Sequence, residues 1–406
     1  MPMVDRIPEL VCPAGDWASL TAVMEAGADS VYFGVQGLNM RYYARNFDPL
    51  ELKKVMTVLH ENHIKGYLVV NSMVMTPDLP KVERVLALAK EAGVDAVILW
   101  DMAVLAAVRD LGLNIHLSTQ AGVANFKALK EYARYGVKRI VLARECTLED
   151  IREIARRRDE EKIPCELECF IHGAMCVSVS GRCFLSYFSH GESANMGRCV
   201  QPCRREYLIK DLAGDCEYIL GQDYILSPRD LCAIGFLDEL LAAGIDAFKI
   251  EGRIRAAEYF RVVTSCYREG IDAYKRGTFN GGLKQDLRTR LQEVYNRGFS
   301  TGFYFGRPQD EVSRGLEHTR KKIFVGEVRR YYKRIGVAEI TVMQDVIRVG
   351  DPLLFIGRST PALSAPVEEM QLDHRPLDQA LKGQTVGVKL PFPVKPQDKV
   401  FLWKKI

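Results

Sequence analysis

Four times in its first 250 residues the chain repeats one piece of punctuation. Ala26-Gly27-Ala28-Asp29, Ala92-Gly93-Val94-Asp95, Tyr135-Gly136-Val137-Lys138 and Ala243-Gly244-Ile245-Asp246 each separate an amphipathic stretch from a short apolar run. Glycine enters the left-handed backbone region at no steric cost and so closes helices, which makes each of these the same helix-to-strand turn. Eight apolar runs of strand length keep this rhythm: Leu10–Pro13, Ser30–Gly34, Tyr67–Asn71, Ala96–Trp100, Ile115–Thr119, Arg139–Ala143, Glu166–Ile171 and Ala247–Glu251. Between them apolar residues recur at helical spacing, as in Val82, Val85, Leu86, Ala89 and Ala92. Strand–helix alternation implies right-handed crossovers between parallel strands, and eight such units close a barrel. The expected fold is therefore α/β, a TIM-like (β/α)8 barrel, in preference to an open doubly wound sheet. Pro13-Ala14-Gly15-Asp16 follows the first run where a dinucleotide site would place G-x-G-x-x-G, so such a site has no support.

Two departures from a regular barrel carry information. The seventh run ends near Ile171 and the eighth begins near Ala247, about 75 residues apart where a loop of two to six is usual. This insertion, residues 172–246, leaves from the C-terminal face, where parallel barrels place function. Past a charged helical stretch and the Gly-rich Arg297–Gly306, the pattern turns to short β-runs: Phe324–Val328, Gly336–Val342, Asp351–Phe355, Thr385–Leu390 and Lys399–Trp403. They predict a small C-terminal all-β barrel domain. The expected organisation is a barrel domain over 1–310 and a β-barrel over 323–406, which suits 406 residues, since one core rarely organises more than about 300.

Composition narrows the functional classes. With 48% hydrophobic residues the chain can bury a core, and 56 basic against 52 acidic residues leave only +4. Nucleic-acid binding cannot rest on that net charge, so any basic face must be local. Runs such as Ala96–Trp100 fall far short of the roughly 18 apolar residues that span a bilayer, and the opening MPMVDRIPEL has no signal-peptide core. A cytoplasmic location without membrane contact is expected.

In a reducing compartment, eleven cysteines suggest metal or redox roles rather than disulfides. The spacing Cys176-x6-Cys183-x15-Cys199-x3-Cys203 puts four thiols within 28 residues of irregular, Gly-rich chain. Four convergent thiolates call for zinc or an iron–sulfur cluster. Zinc sites usually carry paired knuckles, and only Cys199-x3-Cys203 resembles one, so iron–sulfur is favoured and zinc is the alternative metal. Cys12, Cys146, Cys165 and Cys266 stand singly in strands or helices and read as small buried hydrophobes. Cys232 is the reserve ligand.

Residues just past each strand mark the barrel mouth: Asn71, Asp101, Gln120, Arg144 with Glu145, His172, and Glu251 with Arg253, joined by Arg41, Tyr42, Tyr43 and Arg45 from the loop after the second strand. Singly, each is an ordinary surface residue. Together, several guanidinium groups beside few carboxylates suit a small anion, which they bind bidentately. His172 is either a general acid/base or a structural group. Serine elbows and H-E-x-x-H are absent from the sequence.

Glu168-Cys169-Phe170-Ile171-His172-Gly173-Ala174-Met175-Cys176 followed by Ser180-Gly181-Arg182-Cys183-Phe184-Leu185-Ser186 resembles the signature of the peptidase U32 (collagenase-like) family. Glu9–Gly15, Asn195–Arg205 and Lys249-Ile250-Glu251-Gly252-Arg253 extend the likeness over residues 9 to 305. The tail, with Val349-Gly350-Asp351 and Gly383–Val388, resembles the second β-barrel domain of elongation factor Tu. This layout is most similar to the branch that forms 5-hydroxyuridine at the tRNA wobble position; quinone-hydroxylating relatives lack the C-terminal barrel. The resemblance implies an oxygen-independent RNA hydroxylase with a [4Fe–4S] cluster on Cys176, Cys183, Cys199 and Cys203, and prephenate as hydroxyl donor. Glu168, His172, Gln120 and Glu251 become the candidate catalytic groups, and Arg41, Arg45, Asn71, Arg144 and Arg253 the anion-binding ones. The tRNA anticodon loop is the expected partner, met by Arg198, Arg204, Arg205, Lys321, Lys322, Arg329, Arg330, Lys333 and Arg334 with Tyr331 and Tyr332. A peptidase, as the family title says, and a cluster-bearing RNA- or protein-binding factor are the other readings.

Overall fold

A computed structural model describes residues 7–205, 207–210, 217–220, 224–252, 254–306, 308, 312–313 and 316–406. Seven parallel strands succeed one another: β1 (Glu9–Ala14), β2 (Ser30–Gly34), β3 (Lys65–Val70), β4 (Ala96–Leu99), β5 (Ile115–Leu117), β6 (Val137–Val141) and β7 (Glu166–Gly173). Helices α1 (Trp17–Glu25), α2 (Leu52–Glu61), α3 (Leu79–Glu91), α4 (Met102–Asp110), α5 (Phe126–Arg134) and α6 (Leu148–Glu160) alternate with them. The chain next forms α7 (Leu185–His190), β8 (Tyr207–Lys210), β9 (Glu217–Leu220), β10 (Tyr224–Pro228), β11 (Asp230–Cys232) and α8 (Leu237–Leu241) before the eighth barrel strand, β12 (Ala247–Ile250). β12 pairs in parallel with both β1 and β7, which closes the expected eight-stranded barrel. All four punctuating glycines, Gly27, Gly93, Gly136 and Gly244, have φ between +74° and +91°. Side chains start the helices: Asp16 caps α1, Asn125 caps α5, and Thr147 with Asp150 forms a capping box on α6.

The barrel's apolar packing lies mainly outside the strands, where residues such as Leu10, Phe33, Leu68 and Leu99 meet the helices. The interior holds a thin apolar layer of Val11, Tyr32, Tyr67, Val69, Ala96, Ile98 and Ala247. Beside it lies charge. Buried Arg139 reaches Glu9 at 2.9 Å, Glu166 at 2.6 Å and Glu168 at 3.3 Å, and Glu168 in turn holds Lys249 at 2.6 Å.

Beyond α9 (Ala257–Lys275) and α10 (Gly281–Gln292) come the short strands β13 (Phe299–Ser300) and β14 (Val312–Ser313). The C-terminal unit follows: β15 (Arg320–Tyr332), β16 (Val337–Val342), β17 (Ile347–Arg348), β18 (Pro352–Ile356), β19 (Leu363–Pro366), β20 (Met370–Leu372), β21 (Arg375–Pro376), β22 (Gln379–Ala380), β23 (Thr385–Lys389) and β24 (Lys399–Lys405). Eight of these form an antiparallel sheet, β19-β18-β24-β15-β16-β23-β20-β21, a half-barrel around Val325, Ile340, Leu353, Val386 and Val400. β15 starts earlier and runs longer than the apolar pattern suggests, because Arg320–Ile323 ladder with Leu402–Lys405 of β24, and basic side chains at that end also meet the barrel. Lys322 meets Glu258 at 2.7 Å and Arg320 meets Glu293 at 3.3 Å, while Arg358 lies 4.8 Å from the Trp17 ring. Among the described residues no helix is long and apolar enough to cross a membrane.

The Glu9 carboxylate is held well below its ordinary value of 4.5: burial opposes ionisation, but hydrogen bonds and charge from Arg139, with Lys65 and Tyr67, outweigh it. A depressed carboxylate stabilises the fold above its unfolded value and loses that contribution as pH falls below it. Glu9→Gln should therefore cost about 1.5–3 kcal/mol in urea denaturation at pH 7. The gap to the parent protein should shrink steadily below pH 4.5, as Glu9 loses its advantage there.

Candidate functional site

Strand C-termini and the insertion enclose one large cavity, lined by Tyr32, Arg41, Asn71, Gln120, Arg144, Phe170, Lys249 and Glu251 from the barrel, Arg255 and Arg297 just beyond it, and all four clustered cysteines with Arg204 from the insertion. Two glycines let the insertion come this close. Gly173 has φ +108° and Gly197 φ +81°, and a Cβ on either would overlap a carbonyl oxygen, of Glu251 and Asn39 respectively. Hydrogen bonds then fasten it to the barrel, Tyr42 N–H to Gly197 O at 3.0 Å and Met73 N–H to Asn195 O at 2.9 Å, while Cys183 N–H to Asn195 Oδ1 at 3.1 Å braces the insertion internally.

On the barrel side, Arg41 Nη2 donates to Glu251 Oε1 at 2.8 Å. The Glu251 charge, with the pair's hydrogen bond, raises the Arg41 pKa against the effect of burial. Arg144 lies over the Phe170 ring at 4.0 Å and donates to Ala174 O at 2.8 Å, while burial lowers its pKa. Asn71 Nδ2 donates to Gln120 Oε1 at 3.3 Å, and the same oxygen accepts the Ser118 hydroxyl. Trp100 Nε1 fixes this amide pair by donating to Asn71 O at 2.8 Å.

On the insertion side, three of the four sulfurs have polar neighbours. Ser178 Oγ lies 3.1 Å from Cys176 Sγ, Leu185 N–H donates to Cys183 Sγ at 3.3 Å, and Gln201 N–H donates to Cys199 Sγ at 3.4 Å. Burial raises the Cys199 and Cys203 pKa values. At Cys176 burial is outweighed by hydrogen bonds from Ser178 and by the charges of Arg144 and Arg41, and its pKa falls. Among the described residues, no three His, Cys, Asp or Glu side chains form a single-ion site. The four thiols ring a cavity instead. An all-thiol ligand set with N–H donors aimed at two of the sulfurs is donor chemistry that an iron–sulfur cluster takes.

The cavity thus gathers Gln120, Glu251, Arg41, Asn71, Arg144, Cys176, Cys183, Cys199 and Cys203. It does not gather three other expected residues. His172 is turned to the helix side, its Nδ1 3.2 Å from Tyr267 Oη among Tyr259 and Phe299. The cause is a register shift: Phe170 pairs with Lys249 and His172 with Ile250, so one extra residue on β7 reverses the alternation. Burial, and then Arg255, pushes the His172 pKa down to about 3, which keeps the ring neutral. Glu168 points inward one layer below the mouth, committed to Arg139 and Lys249. Arg45 reaches away to Asp16 with 83% of its side chain exposed. Arg253 lies outside the described residues, as does Cys216.

Two expected phosphate contacts are also reassigned. Arg204 is turned inward, donating to Met175 O, to Pro228 O at 3.1 Å and to Ser227 Oγ; burial, then Arg297, lowers its pKa to about 10. Lys322 is taken up by Glu258. Sequence reading missed Lys249, Arg255 and Arg297 as lining groups. Strict alternation along Ala247, Lys249 and Glu251 signals the first; nothing local signals the other two.

Residues 15–314 match the family described as Peptidase family U32. Over 405 residues, 98% of each chain, the protein is 41% identical to a Methanocaldococcus jannaschii protein named as an uncharacterized protease. A Porphyromonas gingivalis protein named collagenase is 37% identical over 98% of both chains. The Bacillus subtilis tRNA hydroxylation protein P1 is 31% identical over 98% of this chain and 95% of its own.

The three bonds from Arg204 fasten the insertion beside the sulfurs, and each bond to a charged donor is worth about 1.5–3 kcal/mol. Arg204→Met should speed amide hydrogen exchange across residues 174–205 by tenfold or more, with the barrel strands unchanged.

Proposed function

The chain belongs to peptidase family U32, and from that membership we propose that it is an iron–sulfur-dependent, oxygen-independent tRNA hydroxylase. It forms 5-hydroxyuridine at the wobble position, with prephenate as hydroxyl donor. The observation that carries this reading is one cavity in which four thiols face a cationic barrel mouth. The names of two relatives support an RNA substrate: the tRNA hydroxylation protein above, and the Escherichia coli 23S rRNA 5-hydroxycytidine C2501 synthase, 32% identical over 74% of this chain.

Cys176, Cys183, Cys199 and Cys203 would hold a [4Fe–4S] cluster, which supplies one-electron redox capacity when bound. Arg144 and Arg255 both line the cavity and offer guanidinium groups to an anionic donor such as prephenate. Arg41 is neutralised by Glu251, so it positions that carboxylate rather than adding free positive charge. The Asn71–Gln120 amide pair presents donors and acceptors suited to a base edge. Arg329 and Arg330 on β15 are exposed candidates for tRNA phosphates, Arg329 lying 3.7 Å from Glu339 and Arg330 over the Tyr332 ring.

The collagenase and protease names favour a second reading, peptide hydrolysis. Among the described residues, however, no histidine lines the cavity, so none of its hydroxyls or thiols has the histidine partner that usual nucleophilic hydrolysis needs.

Two outcomes are expected. Anaerobically purified protein should be brown, bleach with dithionite and contain iron and sulfide in near-equal amounts. Cys183→Ala should lose the colour and Cys266→Ala keep it; a colourless protein with one zinc would overturn the cluster. Nucleoside mass spectrometry of tRNA from a deletion strain should show loss of 5-hydroxyuridine derivatives, restored by the parent gene and not by Cys183→Ala. Unchanged nucleosides, with peptide cleavage that survives iron removal, would establish the peptidase reading instead.

A further inference from the structure

Helix α7 stands at the rim of the cavity with its aromatic side chains facing outward. Ser186 anchors it: the side chain is buried and its hydroxyl accepts the Val200 N–H at 3.2 Å. Phe184, Tyr187 and Phe188 are consequently left 63%, 52% and 82% exposed. They form one surface, with ring centroids 6.0 Å apart for Phe184–Phe188 and 6.2 Å for Tyr187–Phe188. An apolar patch this concentrated in six residues is a cost that a soluble surface normally avoids.

Its surroundings select the occupant. No acidic residue lies on α7, and the segments bracketing it supply Arg182, Arg198 and Arg205 against one carboxylate, Glu192. Arg182 stacks on Trp100 at 5.3 Å and Arg198 on Tyr42 at 4.8 Å, so both guanidinium planes are held at the same rim. Rings exposed between cations match a polyanion with planar bases; a second protein copy would place these arginines against their own kind. Phe184 also directly follows Cys183, and Leu185 donates its N–H to the Cys183 sulfur, so anything stacked on α7 sits beside the thiol ring.

We infer that Phe184, Tyr187 and Phe188 form a stacking platform for unpaired RNA bases flanking the one that enters the cavity. The inference rests on the RNA reading above and assigns it a surface. An enzyme that acts on one base must take it out of the stack, and a platform at the rim compensates the lost stacking of its neighbours. The C-terminal half-barrel then contributes phosphate contacts rather than base contacts.

The test is the affinity of the full-length protein for a 5′-fluorescent anticodon stem-loop RNA, measured by anisotropy at several salt concentrations. Phe184→Ala/Phe188→Ala should weaken binding about tenfold or more, because stacking on an aromatic ring contributes at about that level for each base. The slope of log affinity against log salt should stay at the parent value. Arg198→Gln/Arg205→Gln should flatten that slope, since phosphate contacts release counterions. Phe188→Tyr, which keeps the ring, should bind like the parent protein. Iron content and thermal unfolding check that the surface variants stay folded. Parent-like affinity in the Phe184/Phe188 variant would overturn the platform while leaving RNA hydroxylation standing. A parent protein that binds no RNA and leaves tRNA nucleosides unmodified would overturn both. A parent dimer that Phe188→Asp converts to monomer would make this face a contact between copies and overturn the platform alone.

Discussion

A chain of alternating charge through the barrel holds the molecule's two ends in register. Glu9 meets Arg139, Arg139 meets Glu168, and Glu168 meets Lys249. The Lys249 ammonium lies 4.4 Å from the Tyr32 ring, and the Tyr32 hydroxyl is 3.4 Å from Glu251, which Arg41 pairs at the mouth. Each of these groups, buried alone, would carry a desolvation penalty of several kcal/mol, so removing one member strands its neighbours. The axis ties β1, β6, β7 and β12 together across the point where the barrel closes. Most parallel barrels fill this space with branched apolar residues. Here charge fixes the rotamers of Lys249 and Glu251, and through them the floor of the cavity.

The insertion adds a roof to that floor, and its anchors are chiefly backbone groups. Gly173 and Gly197 permit contacts that a side chain would prevent, while Arg204 and Arg144 donate to carbonyls of the loop that follows β7. Carbonyls bonded this way cannot move without breaking charged hydrogen bonds. Irregular chain is thus held rigid enough to present four sulfurs toward one volume, a task that regular secondary structure would otherwise perform.

The fold was legible because its signals are periodic. Gly27, Gly93, Gly136 and Gly244 mark equivalent turns, and each apolar run became the strand it resembled. The four cysteines were legible by spacing, and Gln120, Asn71, Arg144 and Glu251 by their place at strand ends. His172 was misplaced because alternation assumes an unbroken register, and a one-residue bulge in β7 is invisible in residue types alone. The pairing of Glu168 is not legible in sequence, because its partners, Arg139 and Lys249, are 29 and 81 residues away. Arg204 resembles a surface phosphate ligand in sequence for a similar reason: two of its three acceptors are main-chain carbonyls, which have no sequence signature.

On the proposed reading, the same distribution of charge lets RNA and a small anion bind without competing. Arg144 and Arg255 line the cavity, where an effective dielectric well below that of water would strengthen their hold on the proposed compact anion. A polynucleotide backbone cannot bring its phosphates that deep without stripping their hydration, and the exposed cations at the rim serve it at far lower cost. Depth would then separate the two proposed ligands: the cavity would take one small charged molecule and one extruded base, and the rim an extended chain. Salt screens only the second, since screening acts on exposed charges and fades for buried ones.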